Sequence, residues 1–344
     1  MTMPHISVAA SGVITLGRDV ACDGFHRDYR VRVQTHVHLD HMHNFETSKG
    51  LQDIYLSDPT LQLLIAEFNA DLSARINVNL IPLGFGETCT VRSSKLTLIP
   101  SGHMLGSAQV AVELANGLRV GYSGDFQWPL GETIEVEQLV LDSTYGSPES
   151  IRNYSQDEAE ERLLKIATDK LRRGPIHVKA HRGTLHRGLQ VLSEIAACPI
   201  VASPRLCAEV EVYRSFGYPI GRVCPLKSPE GLQAIASPRH IRCYGMGDHF
   251  PVQPHSGTTI TLSAFMTSPD DPVLEYSDRA LSIALTNHAD FADTLEYVKA
   301  TGARFVITDN SRGGHAVELA REISCQLNVE AVPSEIFVSN EWGT

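Results

Sequence analysis

The sequence predicts a mixed α/β protein: one strand-rich domain built from two separated stretches of chain, with an α/β module between them. Three observations carry this. Residues 1–145 hold short β-branched runs split by Gly, Pro and Asp; residues 151–265 alternate helix-like and strand-like segments; strand-like runs return from Gly257. The expected boundaries are 1–150 and 266–344 for the strand-rich domain and 151–265 for the module.

In chain order, the strand-like runs are "HISVAASGVITL", "YRVRVQT", "DIYLS", "KLTLIP", "SAQVAVEL", "LRVGYSG" and "QLVLDST". One helix interrupts them, with Asp58 as the cap, Pro59 at its first turn and "TLQLLIAEFNADL" as its body. The module opens with "SQDEAEERLLKIATDKLRRG", where Ser155 and Glu158 form a capping box, acids fill the first turn, bases the last, and Gly174 ends the helix. Strand "PIHVKA", helix "LHRGLQVLSEIAA", strand "PIVAS" and helix "RLCAEVEVYRSFG" follow, the alternation of a parallel sheet. Strands "TTITLSAF" and "LSIALT", helix "DFADTLEYVKATG", strand "RFVITD" and helix "HAVELAREISCQL" are assigned to the returning strand-rich domain.

Composition bounds the function. The 344 residues are 42% hydrophobic and 20% charged, which suits a well-cored globular chain. Apolar runs are short, so no membrane span and no membrane partner are expected. The amino terminus lacks the basic-then-apolar plan of a signal peptide. Seven scattered cysteines with no Cys-x-x-Cys pair suit a reducing, cytoplasmic location. The net charge is −11, yet Ile151 to Phe265 holds 15 Lys and Arg against 10 Asp and Glu, while the rest holds 14 against 30. The middle segment is therefore the expected face for a polyanion, and the acidic flanks for cations.

The stretch "THVHLDHMHNF" raises the central question of chemistry. Four imidazoles and a carboxylate in eight residues gain nothing in a packed core, where each needs its own polar partner. In a strand, residues two apart share a face, so His36 and His38 are expected to bind one ion together. Asp40 and His41 fall past the strand end and point at a second. "IPSGHMLGSAQV" places His103 in a glycine-flanked turn after a strand, and "GYSGDF" does the same for Asp125. Imidazole with carboxylate suits zinc, with manganese or iron next. His43, one step past the motif, reads as solvated.

The order His-x-His-x-Asp-His, Ser-Gly-His-x-x-Gly-Ser, Gly-Asp-Phe resembles the metallo-β-lactamase superfamily, and the wording "SGHMLGSAQV…GYSGDF" its β-CASP nuclease branch, which includes RNA-processing and ligase-associated DNA nucleases. The resemblance implies an αββα sandwich with an inserted α/β, β-CASP-like cap that forms one wall of a cleft. It also implies further site residues: Asp142 in "VLDSTYG", His288 in "LTNHADF", and Asp23 in "ACDGF" as a support for the metal loop. Where relatives carry a last metal-binding histidine, this chain reads "VITDNSRGGH", so the resemblance leaves three expectations: Asp309 as the ligand, His315 reaching in instead, or an open position on the second ion. The cap also lacks the usual Gly-Arg-x-Gln opening; "HRGTLHRG" is nearest.

The implied chemistry uses two divalent ions about 3.5–4 Å apart, which lower the pKa of a shared water and offset charge growing on the substrate oxygens. His36, His38 and His103 are assigned to one ion, Asp40 and His41 to the other, and Asp125 to both, with Asp40 also orienting the attacking oxygen. A phosphodiester leaves as an alkoxide and gains from a proton donor; that role falls to His288, kept charged by Asp142. Arg172, Arg173, Lys179, Arg182 and Arg187 are the expected phosphate contacts, reading backbone rather than bases. The expected activity is a nuclease, exonucleolytic or RNA-processing, on RNA or single-stranded DNA. The competing readings are a hydrolase of a small ester, thioester or lactone, and an inactive subunit of a processing complex.

Overall fold

The structure, a computed structural model, describes residues 4–68, 79–195, 198–245, 247–250, 256–266 and 268–334. The chain forms two compact units, one of residues 1–151 with 288–344 and one of residues 152–287.

The first unit holds two sheets. One has the order β1 (Ile6–Val8), β2 (Ile14–Leu16), β3 (Val20–Cys22), β4 (Val31–Val33), β5 (Asp53–Leu56), β6 (Leu80–Pro82), antiparallel as far as β3 and parallel beyond. The other comprises β7 (Thr88–Val91), β8 (Ser94–Pro100), β9 (Ala108–Glu113), β10 (Arg119–Tyr122) and β11 (Gln138–Leu141). It is completed by two strands from the end of the chain, β19 (Phe305–Thr308) and β20 (Glu330–Pro333), numbered in chain order after the second unit's strands. Strands β7 to β10 are antiparallel, and β10, β11, β19 and β20 run parallel.

The period-2 side chains explain why the sheets face each other. Ile14, Leu16, Val20, Cys22 and Val33 of one sheet pack on Leu96, Leu98, Val110, Val112, Val120 and Tyr122 of the other. The opposite face of the second sheet, with Leu139, Leu141 and Val306, is covered by Phe291, Leu295 and Val298 of a helix at Phe291–Thr301 and by Leu319 and Ile323 of one at Ala316–Leu327. Two further helices, α1 (Phe45–Leu51) and α2 (Asp58–Phe68), pack on β5 and β6. The layers are therefore helix, sheet, sheet, helix. Ser57 rather than Asp58 caps α2, since its Oγ accepts from the Thr60 amide at 3.2 Å. The rest of the helix expected through Leu72 lies outside the described residues.

The second unit is one sheet of order β14 (Val223–Pro225), β13 (Ile200–Ala202), β15 (Ile241–Tyr244), β12 (Ile176–Ala180), β16 (Thr258–Leu262), β18 (Ala280–Ile283), β17 (Val273–Ser277). All pairs are parallel except β17 with β18. Its helices are α3 (Gln156–Lys170), α4 (Thr184–Leu192), α5 (Pro204–Ser215) and α6 (Pro229–Ala236); those at Phe291–Thr301 and Ala316–Leu327 are then α7 and α8. The α3 capping box is formed, with Ser155 Oγ accepting from the Glu158 amide and Glu158 Oε2 from the Ser155 amide.

This sheet corrects the expected assignment of "TTITLSAF" and "LSIALT". Both are β-branched runs that either domain could use. β16 pairs with β12 and β18 with β16, so the contact boundary falls at 287/288 rather than 265/266. The charge contrast shrinks as a result, because residues 266–287 bring four acids and one base; the compact unit carries 16 Lys and Arg against 14 Asp and Glu. Among the described residues, no helix is long and apolar enough to cross a membrane.

Candidate metal centre

The site is a product of strand direction. His36 to His41 follow β4, Asp23 follows β3, and these strands are parallel. His103 follows β8, Asp125 follows β10, Asp142 follows β11 and Asp309 follows β19, all running the same way. Loops leaving one rim of a rigid scaffold can gather side chains that are distant in sequence. His288 joins from just before α7: the Ala289 amide donates to Phe126 O at 2.8 Å, which sets His288 beside Asp125.

The side chains meet. One nitrogen from each of His36, His38 and His103 and one Asp125 oxygen all lie within 4.8 Å of one another. His36 Nε2 and His103 Nε2 each stand 3.5 Å from Asp125 Oδ2, and His103 Nε2 is 3.2 Å from His38 Nδ1. Asp125 Oδ1 faces His41 Nε2 at 3.1 Å, and Asp40 Oδ2 is 3.7 Å from the same nitrogen. His288 lies between two carboxylates, Nε2 at 3.9 Å from Asp125 Oδ2 and Nδ1 at 3.5 Å from Asp142 Oδ2. The geometry by which the motif does this differs from the expected strand: β4 ends at Val33, residues 34–38 belong to no strand, with His38 extended, and Leu39–His41 form one 3-10 turn. His43 is exposed.

Asp23 underlies this loop. It is wholly buried, in a left-handed conformation (φ 54°), and accepts from the Thr35 amide (2.8 Å), Thr35 Oγ1 (2.6 Å) and His41 Nδ1 (2.7 Å). With Nδ1 committed, His41 offers only Nε2 to the centre. Two supports were not legible in the sequence. Arg32, fully buried, donates to His41 O, His43 O and Gln34 Oε1, and Gln34 Nε2 donates to His36 O and His41 O. Arg32, one of two arginines in "YRVRVQT", reads as a solvent-facing strand residue; only the turning back of the loop gives it carbonyls to hold.

Electrostatics suit a cation. Burial opposes the charged form of Asp125, but His41, His36 and His103 hold its carboxyl well below the ordinary range. Burial, followed by the charge of His41, pushes His36 well below the usual imidazole value. Burial also works against protonation of His41, yet Asp125 and Asp23 raise it to about 10. For His288, burial is outweighed by the hydrogen bond to Asp142 and the charges of Asp125 and Asp142, and its pKa rises. His36 Nε2 is buried with no hydrogen-bond partner among the described residues. An unsatisfied buried acceptor costs about 1–3 kcal/mol, which a bound cation removes. The donor set, three imidazoles and a carboxylate, fits zinc.

The remaining expected residues are not brought to the cluster. Asp309 Oδ1 accepts from the Ser311 amide (2.8 Å) and Ser311 Oγ (2.6 Å), and its Oδ2 pairs with Arg312 Nη1 at 2.5 Å. The alternative, His315, is 58% exposed, with Nδ1 toward Glu318. Gly314 directs it there: φ is +97°, and a Cβ would fall 2.3 Å from Ser143 O. The expected phosphate contacts also disperse. Arg172 and Arg173 precede β12, and Lys179 and Arg182 lie at its far end. Arg182 is held by buried Glu209 at 2.9 Å, and Arg187 by Glu160 and Thr286 O.

Comparison with known proteins gives partial likenesses. No family model matches the chain. An "Uncharacterized protein in lig 3'region" of Acidianus ambivalens is 28% identical over 138 residues, covering 39% of this chain and 98% of that protein. Transcription termination factor FttA of Pyrococcus abyssi is 32% identical over 171 residues, covering 41% of this chain. The chain thus spans about a quarter (26%) of the termination factor's length. A crystal structure titled as a protein of unknown function from Enterococcus faecalis V583 shares the α/β fold, with a TM-score of 0.62 at 13% identity over 90% of this chain and 80% of that one.

Proposed function

We propose that this chain is a metal-dependent nuclease of the metallo-β-lactamase type, with residues 152–287 as its β-CASP-like unit, hydrolysing phosphodiester bonds of RNA or single-stranded DNA. The observation that carries the reading is the Asp142–His288 pair: a charged-imidazole donor stands 3.9 Å from the carboxylate of a cation cradle. A thiolate or a stabilised amine leaves unaided more readily than an alkoxide, so this pair suits a phosphodiester better than a thioester or lactam. The layer order, the motif order and the name of the termination-factor relative support the same reading.

His36, His38, His103 and Asp125 would hold the cation, which supplies Lewis-acid charge and lowers the pKa of water. The protein's own groups do the rest. Asp40, with a 57% exposed carboxylate, accepts the proton of the attacking water and orients it. Asp125, kept ionised, fixes His36, His103 and His41 about itself. His288 gives its proton to the departing oxygen, and Asp142, anchored by the Thr144 amide and hydroxyl, holds the ring and stabilises its charged form. Of the basic residues, Arg172, Arg173 and Lys179 are exposed and are the proposed phosphate contacts; Arg182 and Arg187 serve the unit's own packing.

The test is degradation of single-stranded RNA and DNA carrying 5′ or 3′ label, with Asp40→Ala as control. The reading predicts shortened products from the parent and a loss of about 10²-fold or more in the variant. Rapid turnover of a thioester alongside intact oligonucleotides would contradict it.

A further inference from the structure

The unit of residues 152–287 carries its charge unevenly, and strand direction shows how. All strands of its sheet but β17 run parallel, so the segments that enter them gather at one end of the sheet and the segments that leave them at the other. At the entering end, residues 171–175, 216–222, 237–240 and 278–279 supply Arg172, Arg173, Arg222, Arg239 and Arg279. The acids in the described connections there are Glu194 and Asp278. At the leaving end the balance reverses: Arg182 and Lys227 stand against Asp248, Asp270 and Asp271, and Arg182 is held by Glu209.

Backbone bonds fix the arginines in a row. The Ile176 amide donates to His240 O at 3.0 Å, the Ile241 amide to Pro199 O at 3.0 Å, the Thr258 amide to Pro175 O at 2.9 Å and the Thr259 amide to Arg279 O at 2.8 Å. Along the sheet the order is therefore Arg222 before β14, Arg239 before β15, Arg172 and Arg173 before β12, and Arg279 before β18. Neighbouring strands stand about 4.8 Å apart, so the row spans roughly 24 Å, room for several phosphates. All of these arginines are exposed. Arg172 pairs with Asp169 and Arg279 donates from Nε to Gly257 O, while Arg173, Arg222 and Arg239 have no ion-pair or hydrogen-bond partner for their side chains among the described residues. Like charges set side by side repel and oppose folding, a cost that a polyanion lying along them removes. Phe216 and Tyr218, in the segment that enters β14, are 38% and 37% exposed. Aromatic faces beside a basic track take stacked bases, which an unpaired strand presents and a duplex does not.

Resting on the nucleic-acid reading above but not on cleavage, we propose that this row is a second binding surface, one that grips the phosphates of a single-stranded nucleic acid. It lies at the end of the sheet opposite the one from which β18 runs on toward His288. It reads backbone charge rather than base identity.

Fluorescence anisotropy of labelled oligo(dT) and oligo(U) with the metal-stripped whole chain reads binding without cleavage. The triple variant Arg173→Ser, Arg222→Ser, Arg239→Ser is expected to bind about tenfold or more weakly, with the slope of log affinity against log salt reduced by about two. Lysine at the same three positions keeps the charge and restores both, and Lys227→Ser, at the other end of the sheet, binds as the parent does. If circular dichroism shows that the triple variant is unfolded, the three single variants are read, each expected to lower the slope by about 0.7. A folded variant with the parent's affinity and slope would overturn the inference, as would an equal loss in Lys227→Ser or binding of an acidic peptide in place of either oligonucleotide. Cleavage after zinc is restored is scored separately. A parent that binds in this way but cleaves nothing keeps the row and loses the nuclease; one that cleaves while its binding ignores the substitutions loses the row alone.

Discussion

At the scale of single residues, the proposed proton donor His288 is expected to set the alkaline limb of the pH–rate profile. Its pKa is raised: burial disfavours the charge, and the Asp142 hydrogen bond with the Asp125 and Asp142 carboxylates more than offsets that. A proton donor works only while protonated, so the rate is full below this pKa and falls as pH rises through it. Asp142→Asn removes one of the supporting charges, and the alkaline limb of the pH–rate profile is expected to move down by roughly one unit. An unmoved limb, with the rate otherwise reduced, would show that Asp142 does not tune His288. That His36, His38, Asp40, His41, His103 and Asp125 come together was legible in the sequence, because imidazoles and carboxylates at such spacing need polar partners that a packed core does not supply. Asp309 was legible only as a substitution. That it would be paired by a residue three positions on depends on a loop shape that spacing alone does not determine. Arg32 was not legible at all, because two of its partners are backbone carbonyls of a loop whose path the sequence does not show.

At the scale of elements, the turns do the positioning. Gly106, in the turn that carries His103, has φ +81°, its carbonyl accepts from Ser57 Oγ and Thr60 Oγ1, and a Cβ there would lie 2.5 Å from the Thr60 amide nitrogen. Gly106→Ala is expected to cost at least about 1–2 kcal/mol from the backbone conformation alone. It should also weaken zinc binding, because the turn can relieve the contact only by shifting His103. Urea denaturation and zinc titration check the two effects; unchanged zinc affinity at reduced stability would separate the turn from the site. The helices and parallel alternation of residues 151–265 were readable from caps and periodicity, as the Ser155–Glu158 box illustrates. The strand nature of "TTITLSAF" and "LSIALT" was readable too, but not their sheet. A strand buried on one face and half-buried on the other, as β16 is, carries no mark of its neighbours, and only the ladders β12–β16 and β16–β18 assign the two runs.

At the scale of the molecule, the first unit is assembled from two stretches of chain whose junction is tight: the Phe291 amide donates to Ser150 Oγ at 3.2 Å. Every member of the cation cradle belongs to this unit, as do Asp142 and His288. Replacing residues 152–287 by a short Gly/Ser linker is therefore expected to leave a folded unit that binds zinc, checked by circular dichroism and metal content; loss of zinc binding would mean that the cradle depends on the second unit. The near balance of acids and bases in residues 152–287 predicts that any polyanion is held by a few exposed Lys and Arg rather than by net charge. A cation held by three imidazoles and Asp125 is proposed to make this chain a phosphodiesterase. The measurement closest to it is turnover of a labelled single-stranded oligonucleotide by metal-stripped protein during stepwise return of zinc. Activity should be absent after stripping and climb in proportion to zinc bound; cleavage that proceeds equally well without metal would contradict the account.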